Sequence, residues 1–176
     1  MKYFDELKRA MDWLGQQEDT IFMGQAVSYP GTAMTGTLSD IDSSKLVEMP
    51  VNEDMQLGIS FGMSLNGRVP ISIFPRWNFL ILASNQLVNH IDKVNEMTDY
   101  KSKVIIRTSI GSKRPLDPQC QHIDDFTDGF RLMCKSINIV RLDEPDQIFD
   151  AYKLAYERND NVSTILVEYG DYYNEK

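Results

Sequence analysis

The sequence predicts an α/β protein: a single domain with a mainly parallel sheet and helices on both faces. Three observations lead there. Short apolar segments alternate with longer segments of helical periodicity, the order that α/β proteins show. The apolar segments, such as Ile21-Phe22-Met23, Val104-Ile105-Ile106 and Thr164-Ile165-Leu166-Val167, lack polar alternation, so both of their faces should be covered. Finally, 176 residues with 42% hydrophobic content suffice for one core, and no linker, repeat or low-complexity run divides residues 1–176.

Taken in order, residues 2–16 predict an amphipathic helix, with Phe4, Leu7, Ala10, Met11 and Leu14 at helical spacing. Residues 20–26 predict a short strand. Residues 27–38 form a loop of small and hydroxyl residues with a turn at Pro30-Gly31, which reads either as a plain connection or as free backbone donors facing a ligand. A second strand spans 46–49. A helix then begins near Glu53 and carries Gly58 and Gly62 on one face, because residues four apart share a side. Two glycines there leave a flat groove for another backbone. A buried strand covers 69–74. The longest helix, 77–98, lines one face with Leu80, Ala83, Leu87, Ile91 and Val94, and Phe74, Trp77 and Phe79 cluster at its start. A strand at 104–106 leads into a long loop, 108–122, of the kind that often carries function. A helix at 126–133, a strand at 137–140, a helix at 145–158, a strand at 164–167 and a polar tail at 172–176 complete the chain.

The formal net charge of −8 argues against a general nucleic-acid binder, which needs a basic face. Two cysteines, Cys120 and Cys134, make no disulfide framework and suggest a reducing compartment. Residues 1–13 mix charges with apolar residues, unlike a signal peptide, and no run approaches the ~20 apolar residues of a membrane span. The expectation is a soluble, cytoplasmic protein.

No glycine-rich phosphate motif follows a strand, and no Gly-x-Ser-x-Gly elbow is present. The two histidines, His90 and His122, stand outside any Cys/His cluster with zinc spacing. What remains is one carboxylate at a helix start, an aromatic cluster and a histidine-bearing loop. That inventory is too thin for a self-contained enzyme.

These pieces form an ordered set: Phe22-Met-Gly, Tyr29-Pro-Gly, Thr35-Gly-Thr-Leu, Met49-Pro-Val-Asn-Glu53 with Gly58 and Gly62, Pro70-Ile-Ser-Ile-Phe74, Trp77-Asn-Phe79, Gln86-Leu-Val-Asn, Ile105-Ile-Arg107-Thr and Gln121-His122. In that order they resemble the pyrimidine-binding domain of transketolase-like thiamine-diphosphate enzymes. The resemblance is strongest to the beta subunit of the 2-oxo acid dehydrogenase decarboxylase component. The segment between Arg107 and Gln121 departs from the family in lacking its run of small glycine-rich residues, and Ile123-Asp124 replaces its Ser-Gln.

The resemblance implies roles. Glu53 would hydrogen-bond a ring nitrogen of the cofactor's aminopyrimidine and thereby activate the thiazolium carbon. That asks for a carboxyl able to share a proton, which burial favours and a helix start opposes. Phe79 would pack on the pyrimidine, and His122 would orient substrate or move protons near the reacting carbon. Lys113 and Arg114 read either as solvated charges or as ligands for an anionic substrate. The family's diphosphate-binding and carboxy-terminal domains have no counterpart in the sequence. The expected protein is therefore one subunit of a split enzyme. Thiamine diphosphate would lie against a separate diphosphate-binding subunit that holds Mg²⁺, in a heterotetramer of two chains of each kind. The reaction would be decarboxylation, oxidative or simple, or two-carbon or acyl transfer on a 2-oxo acid or ketose. The alternative is a non-catalytic dimerisation or scaffold module derived from the same fold.

Overall fold

Six parallel strands form one sheet in the order β2-β1-β3-β4-β6-β5. They are β1 (Thr20–Gly24), β2 (Leu46–Glu48), β3 (Val69–Ile73), β4 (Ile105–Ile110), β5 (Asn138–Arg141) and β6 (Thr164–Tyr169). The computed structural model describes residues 2–100, 102–111, 113 and 117–175. The expected parallel sheet, covered on both faces, is present. Its strand order could not be read from the pattern of elements.

Alternation along the strands divides the core in two. Phe22, Ile71, Ile73, Ile105 and Leu166 face helix α1 (Tyr3–Gly15) and helix α6 (Pro145–Glu157). Ile106, Ile165 and Val167 point the other way, towards α2 (Glu53–Leu65), α3 (Trp77–Leu80) and α5 (Thr127–Met133). Pro70 is tolerated in the central strand β3 because the pairing with β4 begins only at Ile71 opposite Ile105. Its missing N–H therefore costs no ladder bond. Helix α6 starts on Pro145, where the fixed φ suits the first turn, and the Gln147 side chain accepts the Glu144 N–H at 3.4 Å.

The helix expected over 77–98 is broken into four pieces. After α3 come a 3₁₀ turn (Ile81–Ala83), a π-helical segment (Gln86–Ile91) and α4 (Val94–Met97). The predicted buried residues Leu80, Ala83, Leu87, Ile91 and Val94 all stay inside, and the wider π turn absorbs the change of pitch. His90 is exposed on this segment. Asp92, just beyond it, is fully buried. Its carboxylate accepts the N–H groups of Ser136 (2.7 Å) and Ile137 (3.2 Å) and the Lys93 ammonium (2.6 Å), tying this segment to the start of β5.

The polar tail is also structured. Tyr172–Glu175 forms a short helix, α7, and Tyr173 is buried. Its hydroxyl donates to Glu168 on β6, which also pairs with Arg107 on β4 and accepts from Tyr152 on α6. Arg107 further donates to Thr37 at 2.7 Å. Burial opposes the charge on Arg107, but the adjacent Glu168 carboxylate outweighs it and holds the guanidinium's pKa above its usual value. The two cysteines differ sharply. Cys134 is buried and desolvation pushes its thiol up to about 11, whereas Cys120 is exposed on the loop that carries His122.

Candidate functional site

Because all the strands run parallel, their carboxy-terminal ends share one edge of the sheet. The loops leaving β1, β2, β3, β4 and β6 enclose a cavity of about 760 Å³ at that edge. The chain moves one way along the sheet from β1 to β2 and the other way to reach β3. Such a reversal opens a crevice where α/β proteins bind ligands. Gln25 and Ala26 follow β1, Glu48 ends β2 and Met49 to Val51 follow it, and Pro75, Arg76 and Phe79 follow β3; all line the cavity.

Glu53 is the first residue of α2. The Asn52 side chain caps that helix, accepting the Met55 N–H at 2.9 Å. Glu53 is only 7% exposed. Its carboxylate accepts the Gln25 amide at 3.3 Å, and Gln25 is itself in the cavity wall. Glu53 thus stands one hydrogen bond behind the cavity rather than in its lining. Phe79 does line the cavity, and the His122 ring packs on it with centroids 5.2 Å apart and planes tilted by 36°. The His122 loop is tied down by the segment before Phe79: Arg76 donates to the His122 carbonyl at 2.8 Å and Asn78 to the Gln121 carbonyl at 3.2 Å. The structure therefore brings Phe79 and His122 together and sets Glu53 behind Gln25. Phe74 and Trp77 are core residues, Trp77 stacking on Phe130 at 5.0 Å.

The start of the loop after β1 has its backbone donors engaged within the chain. The Glu48 carboxylate accepts the N–H groups of Ala26 (2.6 Å), Val27 (2.9 Å) and Ser28 (3.0 Å), holding a turn in which Ala26 has a positive φ of 54°. The same charge pushes the Tyr29 phenol up. Neither Glu48 nor Arg76 stands out in the sequence. The only hint of Glu48 is a carboxylate at the end of a short apolar segment, directly before Met49-Pro50. Lys113 is exposed and gives its backbone N–H to Asp171 at 2.8 Å, and Arg114 lies outside the described residues. Gly58 leaves room for the Gln86 amide, which a Cβ would meet at 3.6 Å, while a Cβ at Gly62 would meet nothing within 4 Å. The glycine face of α2 is thus closed on one side by the chain itself and open on the other. Among the described residues no group of three or more His, Cys, Asp or Glu could hold a metal ion, and no helix is long and apolar enough to cross a membrane.

No protein-family model matches the chain. A solved structure described as "Split gene transketolase, inactive beta4 tetramer" superimposes with a TM-score of 0.70 at 15% identity, covering 94% of this chain and 50% of that one. The chain therefore has a transketolase-like fold. Sequence relatives agree with this. The mitochondrial pyruvate dehydrogenase E1 component subunit beta of Ascaris suum is 26% identical over 140 residues, covering 77% of this chain and 38% of that protein. Pyruvate dehydrogenase E1 component subunit beta of Chaetosphaeridium globosum is 24% identical over 178 residues, covering 90% and 54%. The chain thus spans about half, or less, of the length of the relatives it matches.

Proposed function

We propose that this chain is the pyrimidine-binding subunit of a split thiamine-diphosphate-dependent enzyme acting on a 2-oxo acid or ketose, by decarboxylation or by two-carbon or acyl transfer. The observation that carries this reading is the placement of Glu53. A nearly buried carboxylate starts α2 at the reversal point of the sheet, one hydrogen bond from a cavity whose wall carries the Phe79 ring. The residues fit the cofactor's aminopyrimidine. Phe79 offers an apolar face to a heteroaromatic ring, and Glu53 offers an acceptor that already engages an amide N–H. When bound, the cofactor supplies an acidic carbon that can attack a carbonyl. Glu53 would hold the proton shared with a ring nitrogen, Gln25 would orient that carboxyl group, and His122, seated on Phe79, would move protons at the substrate oxygen.

The residues expected to hold Mg²⁺ belong to a separate diphosphate-binding subunit. Self-association of this chain would use the outer face of α2 and the turn beside it, where Ile59 is 41% exposed, Leu82 is 61% exposed and Gly62 is uncovered. Two chains and two partners would make a heterotetramer. A second reading is a scaffold without catalysis, favoured by the description of the structural neighbour as an inactive tetramer.

Deuterium exchange at the cofactor's thiazolium carbon separates the two readings. The assembled complex, supplied with thiamine diphosphate and Mg²⁺, should exchange quickly with wild-type chain. With Glu53→Gln it should still bind cofactor but exchange at least about 100-fold more slowly, within the usual range for a lost general acid–base group. Equal rates would establish the scaffold.

A further inference from the structure

The cavity wall contains one described cation and one described carboxylate, Arg76 and Glu48, and the fold treats them differently. Glu48 is engaged by three backbone N–H groups. Arg76 has five N–H donors, and among the described residues its guanidinium makes one hydrogen bond, to the His122 carbonyl. No ion pair joins it to a described carboxylate. Desolvation lowers its pKa somewhat, with Asp171 and Asp117 opposing, and an arginine so placed stays charged at neutral pH. A half-buried guanidinium whose remaining donors engage no described residue, on the wall beside Phe79 and Ser109, is a site for an anion.

We infer that Arg76 binds an anionic group of the substrate, a phosphate or a carboxylate, that remains intact through the reaction. The inference deepens the proposed function and rests on it for the identity of the bound molecule as substrate. Two physical arguments favour it. The chain carries a net charge of −8, and Glu48 and Glu53 both lie at this cavity, so an anion enters only where a cation offsets them. A guanidinium presents paired donors that match the two oxygens of a carboxylate or phosphate. The anion held is also not the one lost as carbon dioxide. A carboxylate on that path must shed its charge in the transition state, so a guanidinium clasping it would stabilise the reactant and slow its departure. Arg76 therefore suits a group remote from the reacting carbonyl, such as the phosphate of a sugar or the distal carboxylate of a dicarboxylic 2-oxo acid.

The test is calorimetric titration of the full chain with inorganic phosphate and, separately, malonate at constant ionic strength. Wild type should bind at least one of them, and preference for one identifies the anion as phosphate or carboxylate. Arg76→Gln, which removes the charge and keeps a polar amide, should weaken that binding about tenfold or more, and Arg76→Lys should fall between. Wild type binding neither anion, or Arg76→Gln binding as well as wild type, overturns the inference. Titration of the chain alone requires no cofactor chemistry. Loss of the Glu53-dependent exchange would sink the proposed function while leaving an Arg76-dependent anion site intact, and the converse result would sink only Arg76.

Discussion

The His122 imidazole rests on the Phe79 ring, 5.2 Å between centroids, although Phe79 sits on α3 after β3 and His122 on the loop after β4. His122 therefore sits in the ring current of Phe79, while His90 is exposed on the π-helical segment. In Phe79→Leu the imidazole proton signals of His122 should move downfield and those of His90 should stay in place. With two histidines in the chain, the assignment needs only His90→Gln. Unmoved His122 signals would mean that the pair is not formed in solution.

Asp92 gives a pH-dependent prediction. Burial raises its pKa, but the Lys93 ammonium and the N–H groups of Ser136 and Ile137 outweigh that and hold it below the ordinary value. A carboxyl whose pKa is lowered by folding stabilises the native state above its unfolded value, about 4, and loses that contribution as pH falls through the folded value. Asp92→Asn should therefore destabilise the chain at pH 7 by about 2–3 kcal/mol, the cost of weakening a charged acceptor in the core. The gap between variant and wild type should close as acid is added below about pH 4. Urea midpoints measured from pH 7 downward give the comparison, and a gap independent of pH would refute the account.

Gly62 lies in the interior of α2 with open space where its Cβ would be. In the chain held as a monomer by dilution, Gly62→Ala should raise stability by about 0.5–1 kcal/mol through backbone entropy. At the proposed seam on the outer face of α2, the added methyl should instead weaken association by pushing the facing surface away. Equilibrium sedimentation checks the second effect and thermal unfolding the first. A variant that is more stable and equally associated would place the seam elsewhere.

Strand and helix types were legible in the sequence because apolar runs without alternation need two covered faces, and the amphipathic stripes of α1 and α6 are long enough to be unambiguous. The break-up of 77–97 was not legible: the same five residues are buried whether the turns are α or π, so the pattern cannot reveal the pitch. The tail misled for a similar reason, since Tyr173 is polar by type yet closes the buried Arg107–Glu168 pair. Glu53, Phe79 and His122 were singled out through a family resemblance. Glu48 and Arg76 were not, because their meaning lies in which backbone groups and which cavity they meet across the sheet. Gln25 escaped likewise, since only the fold shows it standing between Glu53 and the open space.

The unequal burial of the two thiols has a practical side. Alkylation requires the thiolate, which Cys134 almost never reaches at neutral pH, with its thiol at about 11 and its side chain enclosed. Cys120 is exposed two positions from His122. The unaltered chain should therefore accept a single maleimide dye on the loop that carries His122, without mutagenesis. Such a fluorophore would give an optical signal for whatever docks beside that loop, turning an accident of cysteine placement into a binding assay.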